Sequence, residues 1–319
     1  MWHGGISYPN DLLSFNRFFQ AFAYIWGKVA VNVFVMTSGY FLCTKDNFEI
    51  KRIIPLVAKA FSFVIIGLII GYYVLHIEIE NTQILLKNIF PVIFGKWWFF
   101  SSYIFMYLCY PYINILIKNM NIKQHKTLLI LLTFILVVIT TLRGAVLDHA
   151  NIAANVTWFT YLYLIAAYIR IYDDAFKKIN GRWLIIFILS LIGICASYVI
   201  HTLTKNYVDR VFFFDNNRPF IILLSVSLFM IFKNLNIKYS KTINVISSTT
   251  FGIYLLHDNN YLRAYIWQDI FKINTFAYSR YLILYVILVA IIMFVCCSII
   301  DYFWQKTIGT IIYKALNKN

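Results

Sequence analysis

One short stretch combines an apolar run with a group that exchanges protons near neutral pH. It reads TFGIYLLHDNN over residues 250–260. On a helix, Thr250, Tyr254, His257 and Tyr261 are spaced i, i+4, i+7 and i+11 and share one face. A histidine on such a face can serve as a general base. We therefore predict a polar stripe with His257 as a candidate catalytic residue. The alternative is a core histidine bonded to a neighbouring carbonyl.

A second candidate site is basic. In FEIKRIIPL, at residues 48–56, Lys51 and Arg52 come just before an apolar span, and Pro55 suits an early helical turn. Two positive charges at that position could bind a phosphate of a nucleotide-like donor. They could equally anchor the helix at the membrane surface, and the residues alone favour the anchor.

Polar residues also interrupt GKVAVNVFVMTSGYFL at residues 27–42. Lys28, Asn32 and Gly39 share a helical stripe there, and Asn32 in the middle of a span must find a partner inside the protein. Ser38 and Gly39 allow another backbone to approach closely. Helix packing alone is the alternative explanation for this pattern.

Other ionisable residues are expected near one membrane face. A charge at membrane depth is costly, so each is a functional-site hypothesis. For Arg143, His149 and Arg218 the favoured reading is an interfacial charge in contact with water and headgroups. The set is Lys28, Arg143, Asp148, His149, Arg218, His257, Asp258 and Arg263.

The composition identifies the element that must position these groups as a membrane helix. Of 319 residues, 61% are hydrophobic and 13% charged, and the mean hydropathy is +0.72. A soluble domain is nearer half apolar and a quarter charged. Apolar blocks of about 15 to 22 residues fit the length that crosses a bilayer. We predict an all-α polytopic membrane helical bundle with about nine transmembrane helices, near residues 26–42, 54–75, 98–117, 127–142, 156–172, 183–203, 219–232, 243–257 and 281–300.

The net charge of +15 is explained by topology. Seventeen of the 28 Lys and Arg residues, Lys59 among them, fall on one side of the predicted spans and 11 on the other. The richer side is cytoplasmic by the positive-inside rule, which puts the C-terminus inside and requires no nucleic acid partner. Nine spans then put Met1 outside without a signal peptide. We therefore expect a tenth helix upstream, with a miscounted span as the alternative.

The sequence carries no motif for a metal or a nucleotide-binding loop. The cysteines, Cys43, Cys109, Cys195, Cys296 and Cys297, lie in or beside apolar runs without metal-binding spacing and read as buried small hydrophobic residues. No Walker loop, GxSxG or HExxH is present. We predict no metal site and no bound cofactor.

Four stretches in order resemble the integral-membrane acyltransferase-3 family, in the type that modifies surface polysaccharides of Gram-positive bacteria. They are VAVNVFVMTSGYFL, IKRIIPLVAKAFSF, WWFFSSYIFMYLCYPYIN and TFGIYLLHDNNYLR. The resemblance covers residues 3–300 and implies ten helices. It also implies transfer of an acyl group, usually acetyl, from cytosolic acyl-CoA to a glycan or lipid-linked sugar. The chain is then one acyltransferase-like domain, 1–319, in a bacterial plasma membrane, without the family's first-helix arginine and histidine.

The resemblance assigns roles to residues of this chain. Arg52, with Lys51, matches the basic motif linked to acyl-CoA binding. Ser38, Gly39 and Tyr40, together with Asn32 on the same helix, are expected along the acyl path. Trp98, Tyr254 and His257 match positions near the acceptor, and His257 with Tyr254 are the catalytic candidates in this chain.

Two rival functions stay open at this point. A transporter or flippase for a lipid-linked saccharide also needs a polar-lined bundle without a soluble domain. An inactive remnant of the acyltransferase would retain the motifs without activity. Acylation of a glycan that depends on the gene separates the enzyme from both.

Overall fold

The structure is a computed structural model that describes residues 14–45, 47–78, 82–145, 147–177, 180–203 and 215–317. Within these ranges the regular elements are helices and no strand occurs, which confirms the all-α prediction. The first helices are α1 Phe15–Leu42, α2 Ile53–Tyr73, α3 Thr82–Ile89, α4 Trp98–Lys118, α5 Ile122–Thr133, α6 Thr140–Leu142, α7 Ile152–Ile171 and α8 Asp174–Lys177. They are followed by α9 Trp183–Leu203, α10 Pro219–Asn234, α11 Lys241–Ser248, α12 Thr250–His257, α13 Ile273–Phe276, α14 Leu282–Trp304 and α15 Thr310–Asn317.

Seven helical segments of the described chain are long and apolar enough to cross a membrane. They identify a multi-pass membrane protein and correspond to seven of the nine predicted spans. The predicted span 219–232 is the shorter apolar helix α10, of 16 residues. The seven segments are Phe15–Leu42, Ile50–Tyr73, Trp98–Lys118, Ile122–Leu142, Ile152–Ile171, Trp183–Ile200 and Leu282–Leu316.

The predicted single span over 243–257 is wrong, because the chain forms two short helices that meet at Thr249. Four consecutive hydroxyl residues, 247–250, cause the break: each donates its hydroxyl proton to the carbonyl three residues before it. Such bonds compete with the helical ladder. The proposed stripe is shortened accordingly, since α12 ends at His257 and Tyr261 lies beyond the helix.

The chain forms two compact units. The first consists of the described residues within Met1–Phe19, Glu49–Trp97 and Lys238–Asn319. In it α12 packs on α2 and α14. Gly252 is required in α12, because a Cβ there would lie 2.0 Å from Asp301 Oδ1. In the same unit, Asn259 donates its side-chain amide to the Phe63 carbonyl at 2.8 Å.

The second unit comprises Gln20–Phe48 and Trp98–Ile237. In it α4 packs on α7 and α9 packs on α10. Gly39 of α1 lies against α7, because a Cβ there would be 2.9 Å from Tyr163 Cα. The predicted close backbone approach at Gly39 is therefore present. A buried apolar cluster holds α1, α9 and α10 together and consists of Ala21, Ile25, Val29, Ile194, Ile221 and Leu224.

The prediction that all the cysteines are buried is only partly right. Cys43 and Cys297 are buried and Cys195 is half-buried, whereas Cys109 and Cys296 are exposed. These two lie on the long helices α4 and α14, where an apolar side chain facing lipid costs nothing.

Candidate functional site

His257 ends α12 in the first unit and is half-buried. Its Nδ1 lies 2.7 Å from the Ile253 carbonyl oxygen, so Nδ1 carries the proton and donates it. In the neutral ring the basic lone pair is then on Nε2. The alternative predicted from the sequence, a histidine bonded to a neighbouring carbonyl, therefore holds for Nδ1. Nε2 is the nitrogen through which His257 could act as a base.

The surroundings of His257 add aromatic and charged groups. The Tyr254 ring meets the imidazole edge-on at 6.2 Å, and Trp267 Nε1 donates to the His257 carbonyl at 3.1 Å. Asp258 follows directly, and its Oδ1 is 3.1 Å from Arg263 Nη1. Burial raises the pKa of the Asp258 carboxyl, while the Arg263 guanidinium opposes that shift.

Lys51 and Arg52 form the last part of a single 3₁₀ turn, Ile50–Arg52, and Arg52 is the N-cap of α2. Both are exposed. Glu49 already binds the Arg52 guanidinium in a forked geometry, with Nε–Oε2 at 2.6 Å and Nη2–Oε1 at 3.1 Å. A phosphate is recognised by the same fork. A donor phosphate at Arg52 would therefore compete with Glu49.

Sequence reasoning missed a buried ion pair in the first unit. Lys59 Nζ lies 2.8 Å from Asp301 Oδ1, and the two side chains are 8% and 0% exposed. Gln305 Nε2 donates to Asp301 Oδ2 at 2.6 Å. The sequence count placed Lys59 among the cytoplasmic cations. In the structure it is a buried residue of the helix α2. Asp301 had a signal of its own, because it is the acidic residue of the otherwise apolar helix α14.

A cavity of about 680 Å³ opens beside this pair. It is formed by the start of α2, the end of α11 and the C-terminal region from Trp304 to Lys314. Its lining residues are Pro55, Leu56, Lys59, Ser248, Trp304, Gln305, Gly309, Thr310, Tyr313 and Lys314.

The second unit holds another polar cluster, formed by Lys28, His149 and Asp215. Lys28 Nζ is 2.7 Å from His149 Nε2 and 3.4 Å from Asp215 Oδ1. Lys28 and Asp215 are buried, whereas the His149 side chain is 29% exposed. Backbone amides of Leu147 and Asn216 donate to the Asp215 carboxylate at 2.6 and 2.8 Å, which keeps the buried charge solvated.

Trp98 and Asn155 complete the surroundings of His149. The indole of Trp98 stacks on the imidazole at 4.0 Å, and Asn155 Oδ1 is 3.5 Å from Nδ1. Burial, followed by the positive charge of Lys28, lowers the pKa of His149 to about 4, against the opposing effect of Asp215. His149 is therefore neutral at pH 7, with Nε2 accepting from Lys28. An exposed interfacial cation, the favoured reading from sequence, is wrong for this residue.

Asn32 lies at the centre of the second unit and is fully buried. Its Nδ2 donates to the Asn216 carbonyl at 3.0 Å and to Ser225 Oγ at 3.2 Å. Its Oδ1 accepts from Trp158 Nε1 at 3.1 Å. The prediction that Asn32 finds interior partners is confirmed. Asn216 was missed, although it stands in the polar run DNNRP before α10; its side-chain amide is buried and has no hydrogen-bond partner among the described residues.

The remaining predicted residues of α1 have packing partners. Ser38 Oγ donates to the Phe34 carbonyl at 3.1 Å and lies within hydrogen-bond distance of the Tyr103 hydroxyl at 3.3 Å. The Tyr40 hydroxyl accepts from Arg170 at 2.9 Å. These contacts give both side chains a structural role, and their place along an acyl path stays a prediction.

Arg143 and Arg218 differ from each other. Arg143 is exposed, as an interfacial charge would be. Arg218 is 1% exposed and donates to the Ala145 carbonyl at 2.9 Å, so the interfacial reading is wrong for it. Within the described ranges, no group of three His, Cys, Asp or Glu residues is close enough to hold a metal ion.

Long apolar helices with buried histidine, lysine and aspartate groups define the class of a polytopic membrane protein with polar interior sites. Residues 1–302 match the family model of the acyltransferase-3 acyltransferase domain, and the chain belongs to that family. It is a membrane acyltransferase. Searches of curated proteins and of solved structures returned no match.

Proposed function

We propose that the protein moves an acyl group, acetyl in the first instance, from cytosolic acyl-CoA to a hydroxyl of a cell-surface or lipid-linked glycan. The membrane is that of a bacterium, and the C-terminus is cytoplasmic. The observation that carries the proposal is the family match over residues 1–302, which covers the second unit, the first unit up to residue 302, and the polar groups around Arg52, His149 and His257. The charge asymmetry of the loops supports the orientation.

On the donor side, the proposal relies on Lys51 and Arg52. Both are exposed at the start of α2, where a water-soluble donor can reach them. The Arg52 guanidinium donates two parallel hydrogen bonds to the Glu49 carboxylate. A phosphate offers the same pair of acceptors.

The chemical step needs a base. The glycan hydroxyl oxygen attacks the thioester carbonyl carbon, the C–O bond forms, and the C–S bond breaks. The hydroxyl proton passes to the base and then to the departing CoA thiolate. His257 supplies this base through Nε2, because Nδ1–H is held by the Ile253 carbonyl. Tyr254 borders the ring and helps to position the reacting groups.

The second unit, taken by itself, contains groups suited to binding a sugar. Trp98 provides an aromatic face beside a polar cluster, and the buried amide of Asn216 has unused donors and acceptors among the described residues. His149 is a poor base, because Nε2 already accepts from Lys28 and its pKa is lowered to about 4. We therefore assign it to acceptor binding.

The test is acyl transfer in membranes from a host that lacks the gene and from the same host carrying it. Membranes are supplied with acetyl-CoA labelled in the acetyl group, and the label is followed into alkali-labile esters of extracted glycan. Gene-dependent labelling is the expected result. Loss of glycan export without a change in labelling would show a transporter instead, and no effect on either would show an inactive remnant.

A further inference from the structure

The cavity beside Lys59 has the chemistry of an anion site. Two of its lining residues, Lys59 and Lys314, are cationic, and none of the described lining residues is acidic. Trp304 adds a donor, since its buried indole Nε1–H has no acceptor among the described residues. Cations and an unused N–H at one cavity favour a ligand with anionic oxygens.

The floor of the cavity is held in place by the pair of Lys59 and Asp301. Burying two charges is costly unless they are paired and hydrogen-bonded, and this pair satisfies both conditions. Gly252 makes room for the carboxylate. The Lys59 ammonium also lies 4.9 Å from the centre of the Trp304 ring. An intramembrane ion pair is a functional-site candidate by default, and here its lysine, Lys59, lines the cavity.

The register of α2 connects this cavity with the exposed basic residues. Leu56 and Lys59 follow Arg52 at i+4 and i+7, so the three share one helix face. Leu56 and Lys59 line the cavity, and Arg52, which is not itself a lining residue, precedes them on the same face at the exposed end of the helix. Basic side chains therefore follow one face from the exposed turn to Lys59, whose charge is balanced by Asp301.

The size and apolar part of the lining restrict the ligand further. A volume of about 680 Å³ lies in the range of small-molecule sites. Pro55, Leu56 and the Trp304 ring offer apolar surface next to the cations. The ligand is therefore a phosphate-bearing molecule with an apolar or aromatic portion. A coenzyme A thioester and an anionic lipid headgroup with its chains share this description.

We propose that this cavity binds the phosphate-bearing acyl thioester donor, with Lys59, Lys314 and the Trp304 N–H as its contacts. The proposal rests on the proposed function and adds the binding site of the donor. In this arrangement Arg52 contacts the donor outside the cavity, and the Lys59–Asp301 pair forms the floor of the cavity.

The experiment uses paired variants of the full chain in nanodiscs, with coenzyme A as the probe. Ser248 lines the cavity and its neighbour Ser247 does not, while both are exposed. We expect Ser248→Trp to raise the dissociation constant for coenzyme A by about tenfold or more, and Ser247→Trp to leave it within about twofold. Lys314→Glu and Lys306→Glu form a second pair, since only the first of these exposed lysines lines the cavity.

The outcomes separate the two proposals. If the wild-type protein binds coenzyme A and none of the four variants changes the dissociation constant, the cavity is not the donor site. The acyltransferase function would then stand. Loss of co-purified anionic lipid from Ser248→Trp, with coenzyme A binding unchanged, would overturn the donor assignment in favour of a lipid. Absence of coenzyme A binding together with absence of glycan labelling would overturn both. Thermal unfolding of each variant verifies that it is folded.

Discussion

Lys28 Nζ and His149 Nε2 lie 2.7 Å apart, with Asp215 Oδ1 3.4 Å from the same ammonium. The imidazole is neutral and accepts, while the lysine and aspartate carry the charges. The three groups come from α1, from the loop before α7 and from the residues before α10. The second unit thus contains a buried ionic cluster, and His149 is its most exposed member.

This relationship predicts a pH-dependent stability. Burial and then Lys28 lower the pKa of His149 from 6.5 to about 4, although Asp215 and Asp148 act in the opposite direction. Between these pH values the unfolded chain binds a proton that the folded chain does not, so stability falls as the pH falls. We expect His149 to account for a loss of about 2 kcal/mol between pH 7 and pH 5.

Thermal unfolding of the purified protein at pH 7 and pH 5 measures this loss. His149→Gln removes the titrating group, so its unfolding midpoint should change less over the same interval. Parallel pH profiles for the two proteins would show that the histidine does not titrate as the structure requires.

Asn32 should be important for stability. Asn32→Ala would leave the Trp158 indole N–H without its acceptor and the Asn216 carbonyl without its Asn32 donor. A buried unsatisfied group costs about 1–3 kcal/mol, and we expect a loss of that order in the free energy of unfolding. Thr157→Ala is the matched control, because its exposed hydroxyl bonds, within the described part of the chain, only to the Ala153 carbonyl of its own helix. Equal unfolding midpoints for the two variants would contradict the prediction.

Arg52 should affect the affinity for the donor. We expect Arg52→Ala to weaken coenzyme A binding while the protein still inserts, and Arg52→Lys to restore it partly, because a point charge replaces the fork. Glu49→Gln is the informative control: it removes the carboxylate that competes for Arg52 and should preserve or strengthen binding. If titration shows that the alanine variant binds coenzyme A as well as the wild type does, Arg52 serves as a membrane anchor instead.

His257 should carry the proton transfer. His257→Ala should lower the transfer rate by about 10²- to 10⁴-fold, the usual contribution of a general base. His257→Asn places an amide donor where Nδ1–H meets the Ile253 carbonyl and so preserves that bond without a base. His257→Gln places an amide at the Nε2 position, and it should be less damaging than alanine if hydrogen bonding is the whole role. Full activity in the alanine or the asparagine variant would remove His257 from the catalytic step.

The orientation can be tested by cysteine labelling from outside the cell. We expect single cysteines placed in residues 45–53, 118–126, 173–182 and 233–241 to be protected. Those in residues 80–90 and 205–217 should be labelled, apart from the buried positions 88 and 215–217. Native cysteines are first replaced, since Cys109 and Cys296 are exposed on their helices. The reverse labelling pattern would overturn the proposed cytoplasmic C-terminus.

The sequence by itself determined the class of the protein. Apolar blocks long enough for a bilayer predict helices, because every backbone group in lipid must be satisfied within its own segment. The need of Asn32 for an interior partner also followed from the sequence, since an amide in a span cannot remain unpaired. The four family stretches were identified in the same way and agree with the family match over residues 1–302.

Only the tertiary structure decided which polar groups meet. Lys59 and Asp301 are 242 positions apart, and Lys28 and His149 are 121 positions apart. Helical periodicity reports which face a residue occupies but not which helix lies against that face. The break at Thr249 was missed for a related reason: an apolar average over 243–257 hides the local competition of four hydroxyl groups for backbone carbonyls. The burial of Arg218 and Asp215 likewise depends on packing partners that are distant in the chain, so no local pattern could reveal it.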